Sequence, residues 1–207
     1  MFKRVLAVSV FFTLAFGILA VSVLRTAGVN YVFSKTTTPS PAPEEVRTEI
    51  PYFIPYAGKV APDSPLWPLK ALRDKVWLAV TTNPTKKAEI MLLLADKRIA
   101  LAQELMGEGN SELAVTTLTK AEKYLEQAVD QEKIARGKGV DTVSLLTKLS
   151  LATLKHRQMT EEILAGAPED AKPVIVTTMD LTKKLYTDTK SSLSSLGRPI
   201  PENPFSN

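Results

Sequence analysis

The sequence predicts an all-α protein: an up-down antiparallel helical bundle, one short and four long helices, behind an N-terminal transmembrane helix. Three observations predict it. Four long stretches carry apolar residues at alternating spacings of three and four, the period that gathers them on one helical face. Glycines fall between these stretches, while capping residues and prolines open them. The third observation is Val5 to Leu24, "VLAVSVFFTLAFGILAVSVL", twenty residues without a charge. As a helix it would extend ~30 Å, the thickness of a bilayer hydrocarbon core. No segment gives a convincing strand signal; "KPVIVTT" (Lys172 to Thr178) is β-prone but sits inside a helical period.

The first element, residues 1–25, reads as a cytoplasmic tip and single-pass anchor. Lys3 and Arg4 precede the apolar run and favour an N-terminus held in the cytoplasm, with the bulk of the chain extracytoplasmic at the cell membrane. A cleaved signal peptide is the competing reading, but its apolar core would run ~7–15 residues. Ala20-Val21-Ser22 resembles a cleavage site and lies inside the run rather than after it. Residues Met1 to Arg4 are too few for a signalling domain, so an inward signal would have to pass laterally through the transmembrane helix.

Residues 26–60 form a tether and a strap. "SKTTTPSPAPEEVRTEIP" is rich in Ser, Thr and Pro and holds too little apolar surface to offset its ordering entropy. Fully extended, the part from Arg25 to Glu49 would reach ~75 Å. In "IPYFIPYAGKV", Tyr52, Phe53 and Tyr56 alternate with Pro51 and Pro55. The segment reads as a strap laid along a groove of the domain, or as a Pro-aromatic docking surface for a partner protein or glycan.

The bundle itself is expected over residues 61–197. In "PDSPLWPLKALRDKVWLAV", Asp63 or Ser64 is a good N-cap, and Pro65 suits a first helical position. Pro68 disfavours helical geometry at Trp67, so the first turn should be separate or kinked. The short helix is expected over 68–82. Its stripe of Leu69, Leu72, Val76 and Val80, widened by Leu66 and Trp77, should fasten the start of the domain to its core. Asn83-Pro84 repeats the start signal for a helix to about Met106, with a seam of Ala88, Leu92, Ala95, Ile99, Ala102 and Met106. Ile90, Leu94, Leu101 and Leu105 add a second stripe. Ser111 opens the next helix, to about Arg136, along Ala114, Leu118, Ala121, Leu125 and Ala128. Asp141 caps another, to about Ala165, through Leu145, Leu149, Ala152, His156, Met159 and Ile163. Pro168 with Glu169 and Asp170 should start the last, lined by Ile175, Met179, Thr182, Tyr186, Leu193 and Leu196. Connections of about four residues or fewer imply antiparallel neighbours. Residues 198–207 are left as an extended tail.

"PDSPLWPLK" (Pro62 to Lys70), followed by Lys87, Ala88, Glu89, Ala95 and Arg98, resembles an uncharacterised bacterial family of exported or membrane-anchored helical domains, a domain of unknown function. Its motif reads Pro-x-Ser-Pro-Leu-aromatic-Pro-Leu-Lys. The resemblance implies an all-helical fold and carries no activity with it. Leu101, Ala102, Leu105, Gly109, Ala114, Leu118 and Ala121 also match the spacing of a tetratricopeptide hairpin. The proline expected after its second helix is missing, and no second copy follows.

The chemistry offers little for a reaction. Of the net charge of +4, three positive charges are Lys3, Arg4 and Arg25 beside the apolar run, leaving about +1 for the rest. Such a balance gives no electrostatic footprint for nucleic acid. Zero cysteines exclude disulfides, thiolate nucleophiles and cysteine-ligated zinc. Glu161, Glu162, Glu169 and Asp170 read as a solvated helix-end cluster, without the Glu-x-x-His pattern of a di-iron bundle, so no metal is expected. Glycines mark helix ends rather than a phosphate loop. Neither a catalytic residue nor a cofactor is expected, and the chain does not read as an enzyme. Trp67 reads as a structural anchor with ligand stacking as the alternative. Arg98 reads as a core-lying stem paired with a carboxylate, or else an anion site. His156, the sole histidine, reads as a hydrogen-bonded core residue rather than a ligand or base. Tyr52, Phe53, Tyr56, Trp67, Arg98 and His156 are thus the candidate partner-contact or anchoring residues. The function expected is a membrane-tethered extracytoplasmic binding or scaffolding module of the bacterial cell envelope, non-catalytic and possible as a homo-oligomer. The alternative is a ligand, cation or stress sensor signalling laterally through its transmembrane helix.

Overall fold

The computed structural model describes residues 49–58, 60 and 62–205. The expected anchor and nearly all of the tether lie outside them. The described residues hold five helices and no strand: α1 (Trp67–Val80), α2 (Pro84–Gly107), α3 (Ser111–Gly137), α4 (Val143–Ala165) and α5 (Lys172–Ser195). None of these is long and apolar enough to cross a membrane.

Helix starts follow the caps. Asn83 Oδ1 accepts from the Lys86 amide at 3.1 Å and Asn110 Oδ1 from the Leu113 amide at 3.4 Å. These bonds satisfy donors that the first helical turn leaves free. Asp141 Oδ1 takes the Val143 amide at 3.1 Å, but the cap position itself is Thr142. The last helix begins later than Pro168. Residues 169–171 form a turn in which the Ala171 amide donates to the Pro168 carbonyl, and helix follows from Lys172. Before α1, the Trp67 amide donates to the Ser64 carbonyl at 2.9 Å and Leu66 is already right-handed helical, so the turn runs directly into a helix that starts at Trp67 rather than at Pro68. Gly109 and Gly139 end α2 and α3 with φ of 80° and 78°, a left-handed conformation that side chains with a Cβ resist.

The four long helices form two antiparallel hairpins, α2–α3 and α4–α5, stacked side by side. Cross-links give their sense. Asp96 meets His156 and Gln103 meets Glu162, so α2 and α4 run parallel. Glu122 meets Thr182 and Arg136 meets Ser192, so α3 and α5 also run parallel. Chain-adjacent helices do alternate in direction, yet two of the four sides of the bundle pair parallel neighbours, and α3 meets α4 across the middle. The connections after α3 and α4 are a little longer than expected, which lets the second hairpin step over beside the first.

The expected seams of α2, α3 and α4 are buried throughout, from Ala88 to Met106, Ala114 to Ala128 and Leu145 to Ile163. On α5 the expected Ile175, Met179, Thr182 and Leu193 are buried, and Thr178, Leu185 and Thr189 join them. Tyr186 is only half-buried, and Leu196, past the helix end, is exposed. The small residues of α3 let α2 approach closely along its length.

One expectation fails outright. Leu69, Leu72, Val76 and Val80 of α1 face solvent, at 67%, 52%, 52% and 68% exposure, and Leu66 and Trp77 are exposed with them. The side of α1 turned toward the protein carries Trp67, Lys70, Ala71, Asp74 and Leu78. Asp74, 1% exposed, accepts from Arg73 at 2.6 Å and from Arg98 of α2 at 3.5 Å. An ion pair, not the apolar stripe, sets which way this helix faces.

The C-terminal residues 198–203 carry no regular secondary structure, and the tail is held against the bundle. The Tyr186 hydroxyl donates to the Pro201 carbonyl at 3.2 Å, and the Arg157 guanidinium lies over the Phe205 ring, 4.2 Å from its centroid. The tail therefore folds back over α4 and α5.

Candidate functional site

His156 stands at the centre of the bundle with no exposed surface. The four-three rhythm of α4 turns it inward, between Asp96 of α2 and Glu122 of α3. Its Nδ1 lies 2.8 Å from Glu122 Oε1 and its Nε2 3.0 Å from Asp96 Oδ1. A neutral imidazole has one N–H, so it could serve only one of two carboxylate oxygens. Facing both, the ring is the imidazolium, donating from each nitrogen. Burial pulls its pKa down, but the Glu122 charge and the bonds to both carboxylates more than offset this and raise it to about 9.

The chain of bonds continues outward from each acid. Thr182 of α5 donates to Glu122 Oε2 at 2.9 Å, and the Tyr52 hydroxyl donates to Asp96 Oδ2 at 2.8 Å. Burial, with the Asp96 charge and hydrogen bond added, raises the Tyr52 pKa and holds the phenol protonated as a donor. One network thus joins α2, α3, α4, α5 and the strap. The imidazolium ring separates the two carboxylates, so the acids do not converge on a shared cation position. Chemically the network can hold a charge and fix the register of four helices. The ring's two nitrogens are both engaged and carry no lone pair toward a cavity.

The strap lies beside this network. Ile50 and Ala57 are buried, and Lys70 Nζ donates to the Val60 carbonyl at 3.1 Å and the Ala57 carbonyl at 3.5 Å. Tyr52 points inward, whereas Phe53 and Tyr56 are 85% and 66% exposed. Between the strap, α2 and α4 lies a groove of about 540 Å³. Tyr56, Gln103, Glu104, Lys155, Met159 and Glu162 are among its walls, giving it an apolar floor and a rim of both charges.

The six singled-out residues therefore divide. Tyr52 and His156 meet in the network. Arg98 is buried with its guanidinium 4.3 Å from the centroid of the Tyr124 ring, donating to the Leu94 carbonyl at 3.1 Å and pairing with Asp74. Trp67 is half-buried under the Lys70 ammonium, 5.0 Å from the ring centroid. Only Phe53 and Tyr56 are turned outward to solvent, and of these Tyr56 lines the groove. Of the acids near the last turn, Glu161 pairs with Arg157, Glu169 with Lys172, and Glu162 accepts from Gln103, each on a separate partner.

Sequence reasoning missed the buried acids. Glu122 and Glu132 lie on a line of α3 with Val115, Leu118, Leu125 and Val129, spaced three and four apart, and both are fully buried. Glu132 accepts from Thr142 at 2.5 Å and from Arg136 at 3.0 Å. Carboxylates at seam positions, opposite a sole histidine also at a seam position, were the available signal.

Residues 59–170 match the Domain of unknown function (DUF5667), more than half of the chain. The chain belongs to the DUF5667 family. No curated protein and no solved structure matches it. The DUF5667 match spans α1 to α4 and ends before α5. Asp96, Glu122 and His156 fall inside it, while Tyr52 and Thr182, the outer donors of the network, come from either side of the DUF5667 region.

Proposed function

We propose that this DUF5667 protein is a membrane-tethered, extracytoplasmic binding or scaffolding module of the bacterial cell envelope, without a catalytic role. The observation that carries the reading is the opposite orientation of neighbouring strap aromatics. Tyr52 turns inward and is held by Asp96, while Phe53 and Tyr56 are exposed and Tyr56 lines the groove between α2 and α4. A packed strap presenting an exposed aromatic beside a groove suits an extended peptide or a glycan, each of which presents flat faces and polar edges. The closed His156 network supports the non-catalytic part, since the sole histidine serves two buried acids. Val5 to Leu24 supports the membrane tether, and the polar segment after it would join that anchor to the bundle.

The test is photocrosslinking in cells from a probe placed at Tyr56, with a probe at Lys190, on α5 away from the groove, as the control. One protein or glycan adduct formed from Tyr56 alone, and lost in a Phe53→Ala background, is expected. Efficient crosslinking from both positions to the same abundant proteins would defeat the assignment of the groove as the partner site.

A further inference from the structure

The outward stripe of α1 has no partner among the described residues. We propose that it is a lipid-docking face, lying in the headgroup region of an anionic bilayer. Leu69, Leu72, Val76 and Val80 lie on the side of the helix opposite Asp74 and Leu78, so they can meet a surface without unpacking anything. Charge then selects the surface. Asp74 is the only acid of α1, and it is buried and held by Arg73 and Arg98. Arg73 and Lys75, on either side of the apolar stripe, are exposed. An apolar stripe with cationic shoulders is the pattern of a helix that rests in the plane of a bilayer interface, its cations at anionic headgroups. A second copy of this face would bring those same cations against one another.

The chain before α1 argues for the same occupant. The uncharged run ends at Leu24, and the polar segment from Arg25 to Glu49, as a coil, would span roughly 30 Å before the strap that leads to α1. This step rests on the tether reading above. A tethered helix of 14 residues meets the surface at high effective concentration, so a short stripe suffices where a free helix would dissociate.

Tryptophan reports the answer directly, because the chain has two and both lie on α1. The full-length protein is incorporated into phosphatidylcholine vesicles containing one-third phosphatidylglycerol, with and without brominated acyl chains. Flotation reports the anchor; quenching of Trp67 and Trp77 by bromine reports α1. The expected result is flotation together with quenching, the quenching lost in Leu72→Asp/Val76→Asp while flotation and helicity persist. Lys75→Glu should lower quenching on anionic vesicles and leave it unchanged on neutral ones. Because the chain has no cysteine, Val76→Cys carrying an environment-sensitive dye gives a second readout at the centre of the stripe. Flotation with unquenched tryptophan and a water-exposed dye would overturn the docking face and leave the tether standing. Absence of flotation would overturn both. A dye shift that grows with the protein-to-lipid ratio, without bromine quenching, would overturn the lipid in favour of a second copy.

Discussion

Helices α1 and α3 carry similar sequence patterns and meet opposite fates. Each has apolar residues at spacings of three and four, and each has one acid that the fold buries completely or nearly so near its middle, Asp74 and Glu122. In α3 the acid and the apolar residues share a side, and both go inward because His156 and Thr182 wait there. In α1 they lie on opposite sides, and the acid wins. Burial of Asp74 against Arg98 turns Leu69, Leu72, Val76 and Val80 to solvent. Hydrophobic periodicity identifies a face; it does not say whether the protein's own core or an outside surface will cover it.

The contrast can be broken first at His156. His156→Leu leaves two buried carboxylates facing each other across an apolar side chain. Removing one partner of a buried ion pair costs about 3–5 kcal/mol, so urea denaturation should show most of the stability gone. A loss under about 1 kcal/mol would mean that no buried ion pair is held there, and the contrast with α1 would fall.

Titration sharpens the same point. The folded pKa of His156, about 9, lies above the ordinary 6.5. Its contribution is therefore fully present below pH 6.5 and is lost as pH rises through about 9. The urea midpoint should fall across that window, by on the order of 3 kcal/mol in stability. The fall should be absent in the His156→Leu background.

Tyr52→Phe is expected to cost about 2 kcal/mol, the typical worth of a hydrogen bond to a charged group. It should also quicken proteolysis between Ile50 and Ala57 while leaving hydrogen exchange in α3 unchanged. At the far end of the scale, Val76→Ser on α1 should change stability by less than about 0.5 kcal/mol in the absence of lipid. A loss of the size seen for core truncations would show that the stripe is covered by the chain itself.

Much of the bundle was legible in the sequence. Asn83-Pro84 and the glycines after the four long helices are local signals, and the structure uses them locally. The seams of α2, α3 and α4 were legible because small and large apolar residues alternate there with a strict period. The site was less so. Asp96 and Glu122 look like ordinary solvated acids until α4 places His156 between them, and that pairing joins residues 60 and 34 positions apart. The direction of α1 was hidden for the same reason, since it depends on Arg98, two dozen residues downstream. On α5 Leu185 takes the buried place expected for Tyr186, whose hydroxyl instead reaches the Pro201 carbonyl, fifteen residues downstream.

The bond from Tyr52 to Asp96 also decides where the molecule would bear load. Tension arriving along the chain from the N-terminal side reaches Ile50 and Tyr52 before it reaches α1. Tyr52 is fixed part-way along α2, at the level where four helices are clamped around one imidazolium. A pull would therefore be shared across the width of the bundle in shear, instead of peeling helices from one end. The stitch between Lys70 and the strap carbonyls lies behind that clamp and would stay slack until the clamp gave way.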